Sequence, residues 1–311
     1  MAASAGNALL SATRYDVVVV GGGAAGLSAA LVLGRARRRV AVVDAGAPRN
    51  APAAHMHGFL SRDGMPPAEL LVAGRLEVRG YGVTLLEDRV VEIVAGFSIR
   101  LTGGDVLEAR RVLIATGVRD ELPEIPGVHE RWGRDLLHCP YCHGWEVRDR
   151  PLGVLGTRSD AVQHALLVRQ WSDDIAFLEH TLDLGPEDAA RLEARGISIV
   201  RGLVERLVVE RDRLVGVQLR GGRRVPRDAV FIRPVNVPHA DGLLAGLGCE
   251  LDAAGFPVVD ATGRTSTPGV WAAGNVVDPR LQVITSAGAG SAAAIALNAD
   301  LVLEDAASAH G

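Results

Sequence analysis

The apolar positions of this chain fall into short runs whose period keeps changing. Residues 15–20 read Tyr-Asp-Val-Val-Val-Val. A β-branched run with so little polar alternation predicts a strand covered on both faces, as in a parallel sheet. Residues 27–35, rich in Ala and Leu, predict a helix, and residues 39–43 a second buried strand. Residues 69–81 again have helical character. From residue 83 the pattern breaks into short pieces, 83–86, 89–94, 97–101 and, past the Gly103-Gly104 turn, 106–109. These predict a small antiparallel meander. Residues 111–115 predict another buried strand, and Pro123 and Pro126 mark a linker.

The order then repeats. Residues 151–156 predict a strand running into a Gly turn, 159–171 a helix and 175–178 a strand. Residues 197–200, 203–209, 214–219 and 229–232 repeat the meander, with Gly221-Gly222 as a turn. The architecture is duplicated without close sequence repetition. A strand-turn at residues 269–275 and a small-residue helix at 286–303 close the chain. The pattern predicts an α/β protein with two nucleotide-binding, Rossmann-like, three-layer domains.

The first strand runs into Gly21-Gly22-Gly23-Ala24-Ala25-Gly26, which fits G-x-G-x-x-G, and the second strand ends in Asp44. Glycines let the backbone approach a pyrophosphate at a helix N-terminus, and the acid suits a ribose hydroxyl. Strand, helix, second strand and acid all stand in their places, so the motif predicts a bound dinucleotide.

The densest chemistry lies elsewhere, in His138-Cys139-Pro140-Tyr141-Cys142-His143-Gly144-Trp145-Glu146. With Cys139 at a helix start, Cys142 falls one turn on and on the same face. Pro140 then takes the first helical position, where its missing N–H costs nothing. A helix N-terminus favours a thiolate. A zinc half-site would need a second pair, and Cys249 is alone. An inert core pair would not need flanking histidines. The redox reading is preferred, with His143 and then His138 as candidate bases.

The chain has 311 residues, 48% of them hydrophobic, and a formal net charge of −4. All 33 basic residues are Arg, which we read as compositional bias. No block of like charge points to nucleic acid or an anionic membrane. Three cysteines do not make a secreted disulfide framework. We find no signal peptide and no run long enough to cross a bilayer, and expect a cytoplasmic protein. His55 and His57 sit in a Pro- and Gly-rich loop without further ligands nearby, and no metal site is expected.

Taken together, the dinucleotide fingerprint, Ala115-Thr116-Gly117, the central C-x-x-C, and Ala272-Ala273-Gly274-Asn275 followed by Gln282-Val283 resemble the low-molecular-weight thioredoxin reductases. The resemblance covers nearly the whole chain, in order. It implies an FAD domain (1–121 and 244–311) split by an inserted nicotinamide-type domain (122–243) that carries the C-x-x-C, in a homodimer. It implies that Gly21, Gly23, Ala24 and Gly26 hold the FAD pyrophosphate and Asp44 the ribose. Asn50, Thr116, Gly117, Gly274, Asn275, Gln282 and Val283 are the further cofactor contacts it implies. Cys142 would face the flavin and Cys139 would exchange with substrate.

Three departures follow from the residues. The nicotinamide loop reads Gly156-Thr157-Arg158-Ser159-Asp160-Ala161, with Arg at the second glycine. The place for NADPH 2′-phosphate contacts reads Glu179-His180-Thr181-Leu182-Asp183, with two acids and no Arg. NADP(H) binding is therefore doubtful. His143 stands where the family has Asp, and Cys-Pro-Tyr-Cys-His-Gly-Trp-Glu resembles the flavin-dependent dithiol oxidases of gliotoxin and holomycin biosynthesis. Asn275 also replaces a usual Asp. The favoured function is a dithiol oxidase closing a disulfide in a small natural-product substrate, with oxygen as acceptor. An NAD(P)H-dependent thioredoxin or disulfide reductase, with a thioredoxin-like partner, is the alternative; a non-catalytic flavin-bound protein is a second.

Overall fold

A computed structural model describes residues 13–94, 96–239 and 241–309. The elements gather into two compact units. One comprises the chain up to Pro48, Leu70–Val118 and the chain from Pro238 onward; the other comprises Arg49–Glu69 and Arg119–Val237. The loop of residues 49–69, which the sequence reading leaves within 1–121, thus packs with the second unit.

The first unit is built on a seven-stranded sheet. Its order is Thr84–Glu87, Val40–Asp44, Thr13–Val20, Val106–Ile114, Ser98–Leu101, Val90–Val94, with Val270–Ala272 also beside Val106–Ile114. Val17 and Val19 face one apolar cluster, with Leu33, Ala294, Leu297 and Leu301 of two helices. Val18 and Val20 face another, with Ile114, Val276 and Leu243. That two-sided burial is why the first strand is an unbroken valine run. Helices Ala24–Arg35 and Val283–Ser308 share the first face.

The second unit repeats the layering. A parallel sheet runs Ser198–Val200, Ile175–Leu178, Leu152–Leu155, Ala229–Ile232, Leu136–Leu137. Val154, Phe177 and Phe231 pack under helices Asp160–Val168 and Pro186–Ala194. Leu155, Leu178 and Ile232 pack under an antiparallel sheet of Val204–Glu210, Arg213–Leu219 and Arg224–Val225.

The structure corrects the meander of the first unit. Thr84–Glu87 pairs parallel with Val40–Asp44 and belongs to the main sheet. The pieces 106–109 and 111–115 are one strand, Val106–Ile114, paired parallel with the first strand from Leu107 to Ile114. Its polar centre does not break it because both arginines are satisfied. Arg110 pairs with Asp16, Glu304 and Asp305, and Arg111 with Asp300 and Glu304. The last helix is also longer than 286–303. Its 26 residues include an 18-residue window of mean hydropathy 1.3, long and apolar enough to span a bilayer, which the sequence reading credited to no run. Here Ala293, Ala294, Leu297 and Leu301 are buried in the first unit's core.

Candidate active site

The first unit forms a cradle of close backbone approaches. Gly21, at φ +108°, leaves no room for a Cβ, which would lie 2.3 Å from the Ala115 carbonyl oxygen. The first turn is thereby pressed against the strand end that carries Thr116 and Gly117. A Cβ on Gly26 would lie 1.9 Å from the Gly21 oxygen, and one on Gly22 2.7 Å from Cγ of Asp44. Gly274, at φ +82°, abuts Ala25. Gly23, by contrast, has nothing within 4 Å of its missing Cβ. It caps the helix that starts at Ala24 with no side-chain hydrogen bond. Gln282 does the same for the helix that starts at Val283. The arrangement fits a dinucleotide: one open glycine at a 12-residue helix's positive end, packed glycines around it, and a carboxylate beside the loop.

Two candidates carry features of their own. The Asn275 amide donates to the Asp278 and Leu281 carbonyls, both at 3.0 Å, so its NH2 shapes the loop before Gln282. Asn50 lies in the 49–69 segment, which gathers with the second unit. Sequence reading missed Arg75, whose Nη2 donates to Oδ2 of Asp44 at 2.7 Å and orients that acid.

In the second unit, Cys139 caps a single helical turn, Pro140–His143, with Pro140 in the first turn. Cys139 and Cys142 form a disulfide with Cα atoms 5.2 Å apart. The Cys142 N–H donates to Cys139 Sγ at 3.2 Å, and the His143 N–H to the Cys139 carbonyl at 3.1 Å. Gly144 allows the turn to close: a Cβ there would meet the Pro140 oxygen at 2.5 Å and the Trp171 ring at 2.8 Å. Tyr141 and Trp145 stand 63% and 65% exposed on either side of Cys142, offering apolar surface beside the disulfide.

The two histidines have different surroundings. His138 is pushed down to about 4, by burial first and then by Arg49, so its imidazole stays neutral near pH 7. Its Nδ1 lies 3.4 Å from the Ile232 carbonyl oxygen. Burial also lowers His143, but the Glu146 carboxylate opposes that and His57 adds to it. His143 is therefore the better placed of the two to take a proton.

At the nicotinamide-type loop, Arg158 Nε lies 3.3 Å from Asp160 Oδ1, and Arg233 Nε 3.3 Å from Asp160 Oδ2. A carboxylate held by two guanidiniums thus sits in the first turn of helix Asp160–Val168. Glu179 is engaged by Arg201 at 2.9 Å, and His180 Nδ1 accepts the Val204 N–H at 3.0 Å.

Comparison with known proteins agrees with this geometry. Residues 15–291 match the pyridine nucleotide-disulphide oxidoreductase family. A thioredoxin reductase, sirT, of Leptosphaeria maculans is 32% identical over 306 residues, 91% of this chain and 93% of that protein. A probable thioredoxin reductase of Arthroderma benhamiae is 36% identical over 179 residues, and the match spans only 44% of its length. The crystal structure of HlmI superposes with a TM-score of 0.92 at 60% identity, over 94% of each chain. With a dinucleotide cradle, a redox-spaced cysteine pair and matches along nearly its whole length, the chain belongs to the pyridine nucleotide-disulphide oxidoreductase family, among its FAD-binding, thioredoxin reductase-like enzymes.

Proposed function

We propose that the protein is a dithiol oxidase that closes a disulfide in a small molecule, with electrons leaving through the cysteine pair and FAD to oxygen. The observation that carries this is the occupied nicotinamide-type loop. A pyrophosphate needs open backbone N–H groups at the helix start, and a 2′-phosphate needs free cations. Asp160 between Arg158 and Arg233 brings negative charge to the first place, and Glu179 on Arg201 to the second. The resemblance of the C-x-x-C-H flank to the gliotoxin- and holomycin-type dithiol oxidases supports the same direction.

In this mechanism His143 takes the proton of a substrate thiol, whose sulfur bonds to Cys139 Sγ as the Cys139–Cys142 bond breaks and Cys142 leaves as thiolate. The second substrate thiol then attacks the substrate sulfur of the mixed disulfide, and Cys139 is released, taking up that thiol's proton. The substrate has lost two electrons and two protons, and the cysteines have gained the two electrons. Gly21, Gly23, Gly26 and Asp44 would hold FAD, which would accept two electrons from the cysteines and pass them, with two protons, to oxygen, giving hydrogen peroxide. The enzyme is assigned to the cytoplasm and to a homodimer.

The second reading, an NAD(P)H-dependent disulfide reductase acting on a thioredoxin-like protein, rests on the sequence likeness to thioredoxin reductases. Peroxide release from a simple dithiol, with and without NADPH, separates the two. Oxidase function gives peroxide from the dithiol alone. Rapid bleaching of the flavin by NADPH under nitrogen, with no peroxide from dithiol, overturns it.

A further inference from the structure

The reaction leaves unused a chain of titratable groups that ends on the redox segment. Residues 56–65 form a loop closed on itself: the Met56 N–H donates to the Met65 carbonyl and the Gly64 N–H to the Met56 carbonyl, both at 2.9 Å. Inside it, Asp63 Oδ1 accepts the Gly58 N–H at 2.8 Å, and Asp63 Oδ2 lies 3.2 Å from His57 Nδ1. The other ring nitrogen, His57 Nε2, lies 3.4 Å from Oε1 of Glu146. Glu146 is three residues after His143. The loop therefore reaches across 89 positions of sequence, from 57 to 146, to hold the acid beside the C-x-x-C turn.

The His57 ring thus stands between two carboxylates, those of Asp63 and Glu146. The other charged or titratable side chains of these two segments are turned to other partners. Arg148 stacks on the Trp145 ring at 3.9 Å and donates to the Trp145 carbonyl. His55 Nδ1 lies 3.0 Å from the Gly64 carbonyl oxygen, and Arg62 donates to the Ser61 carbonyl. The groups that act on His143 are Glu146, which favours its charged form, and His57, which opposes it.

We propose that Glu146 is a positioning residue for catalysis: held by His57, which Asp63 holds in turn, its carboxylate keeps His143 able to accept the substrate's proton. This rests on His143 acting as the base in the proposed function. The loop then does more than pack beside the site. It holds the Glu146 carboxylate through His57, and both groups act on His143.

The arrangement makes two variants move in opposite directions. Glu146→Gln removes the one facing group that favours protonated His143, so His143 titrates at lower pH. His57→Gln removes the group that opposes it, so His143 titrates at higher pH. Asp63→Asn, on an exposed loop position, loosens His57 and moves it the same way as His57→Gln, by less. The measurement is histidine ring NMR of the oxidised, FAD-loaded protein, with the His143 signal assigned by its loss in His143→Ala. In parallel, the low-pH limb of the dithiol oxidation profile is recorded for each variant. Opposite shifts of the His143 titration in Glu146→Gln and His57→Gln support the proposal; shifts of these two in one common direction, or none, overturn it. Should Glu146→Gln fail to load FAD, upward shifts in His57→Gln and Asp63→Asn support the proposal and their absence overturns it. Because the NMR titration needs no turnover, opposite shifts with an unchanged rate profile would leave the positioning intact and overturn His143 as the base.

Discussion

The helix Val283–Ser308 contains two glycines two residues apart that the fold treats in opposite ways. Gly290 is buried against the first helix, and a Cβ there would lie 2.0 Å from the Ala25 carbonyl oxygen. Ordinary contact begins at 3.4 Å, so Gly290→Ala forces the two helices apart by about 1.4 Å. The obstacle is backbone, which has no rotamer to turn, so the cost sits at the upper end of overpacking, about 3 kcal/mol. Ala gains ~1 kcal/mol over Gly in a helix interior, leaving a net loss of about 2 kcal/mol. At roughly 2–4 °C per kcal/mol, the Tm of the first unit falls by about 4–8 °C. Gly288 has nothing within 4 Å, so Gly288→Ala keeps only the propensity gain and raises Tm by about 2–4 °C. Ala25 also touches Gly274 and precedes Gly26, so the same displacement reaches the cradle. Thermal unfolding followed by circular dichroism and by flavin fluorescence reads both effects. Gly290→Ala should melt lower and release FAD earlier than wild type. Equal melting of the two variants, or shifts of the same sign, would refute the close-approach argument.

Two further outcomes are expected. His138 and His164 are held down to about 4 and about 3, mainly by burial, so between those values and the usual 6.5 the unfolded chain binds more protons than the folded one. Stability is therefore full above pH 6.5 and falls as pH drops below it, by about 2 kcal/mol per histidine between pH 6.5 and 5. His164→Leu, in the pocket beside Phe231, should flatten a plot of Tm against pH in that window; an unchanged slope would count against it. Arg158→Gly alone should not confer flavin reduction by NADPH, because Asp160 and Glu179 keep their charges; anaerobic bleaching in that variant would show the side chain to be the whole obstacle.

Much of the fold was legible because burial writes itself into local pattern. Valines on two faces of one strand, a Gly loop and a following Ala-rich helix admit few arrangements. The C-x-x-C turn was legible for the same reason, since Cys-Pro at a helix start is a local geometry. What escaped was decided by distant partners. Residues 106–114 read as two pieces because nothing local says that Arg110 and Arg111 meet acids of the last helix. Helix Pro186–Ala194 was passed over because it buries only Leu192, although Pro186 at its start and Glu187 and Asp188 in the first turn are a helix signature. The His57–Glu146 contact joins two loops of no periodicity, and Arg75 finds Asp44 from a helix whose sequence names no partner.

The Gly290–Ala25 contact also orders events during synthesis. The second unit has its last segment once Val237 has emerged from the ribosome. The first unit at that moment still lacks strand Val270–Ala272 and helix Val283–Ser308, so the opening helix that would receive the cofactor lacks the partner that packs on it at Ala25. FAD cannot template the early part of folding, because the surface that closes its cradle is translated last. A ribosome stalled before Val283 would hold a chain with its redox cysteines complete and nowhere to lodge the flavin.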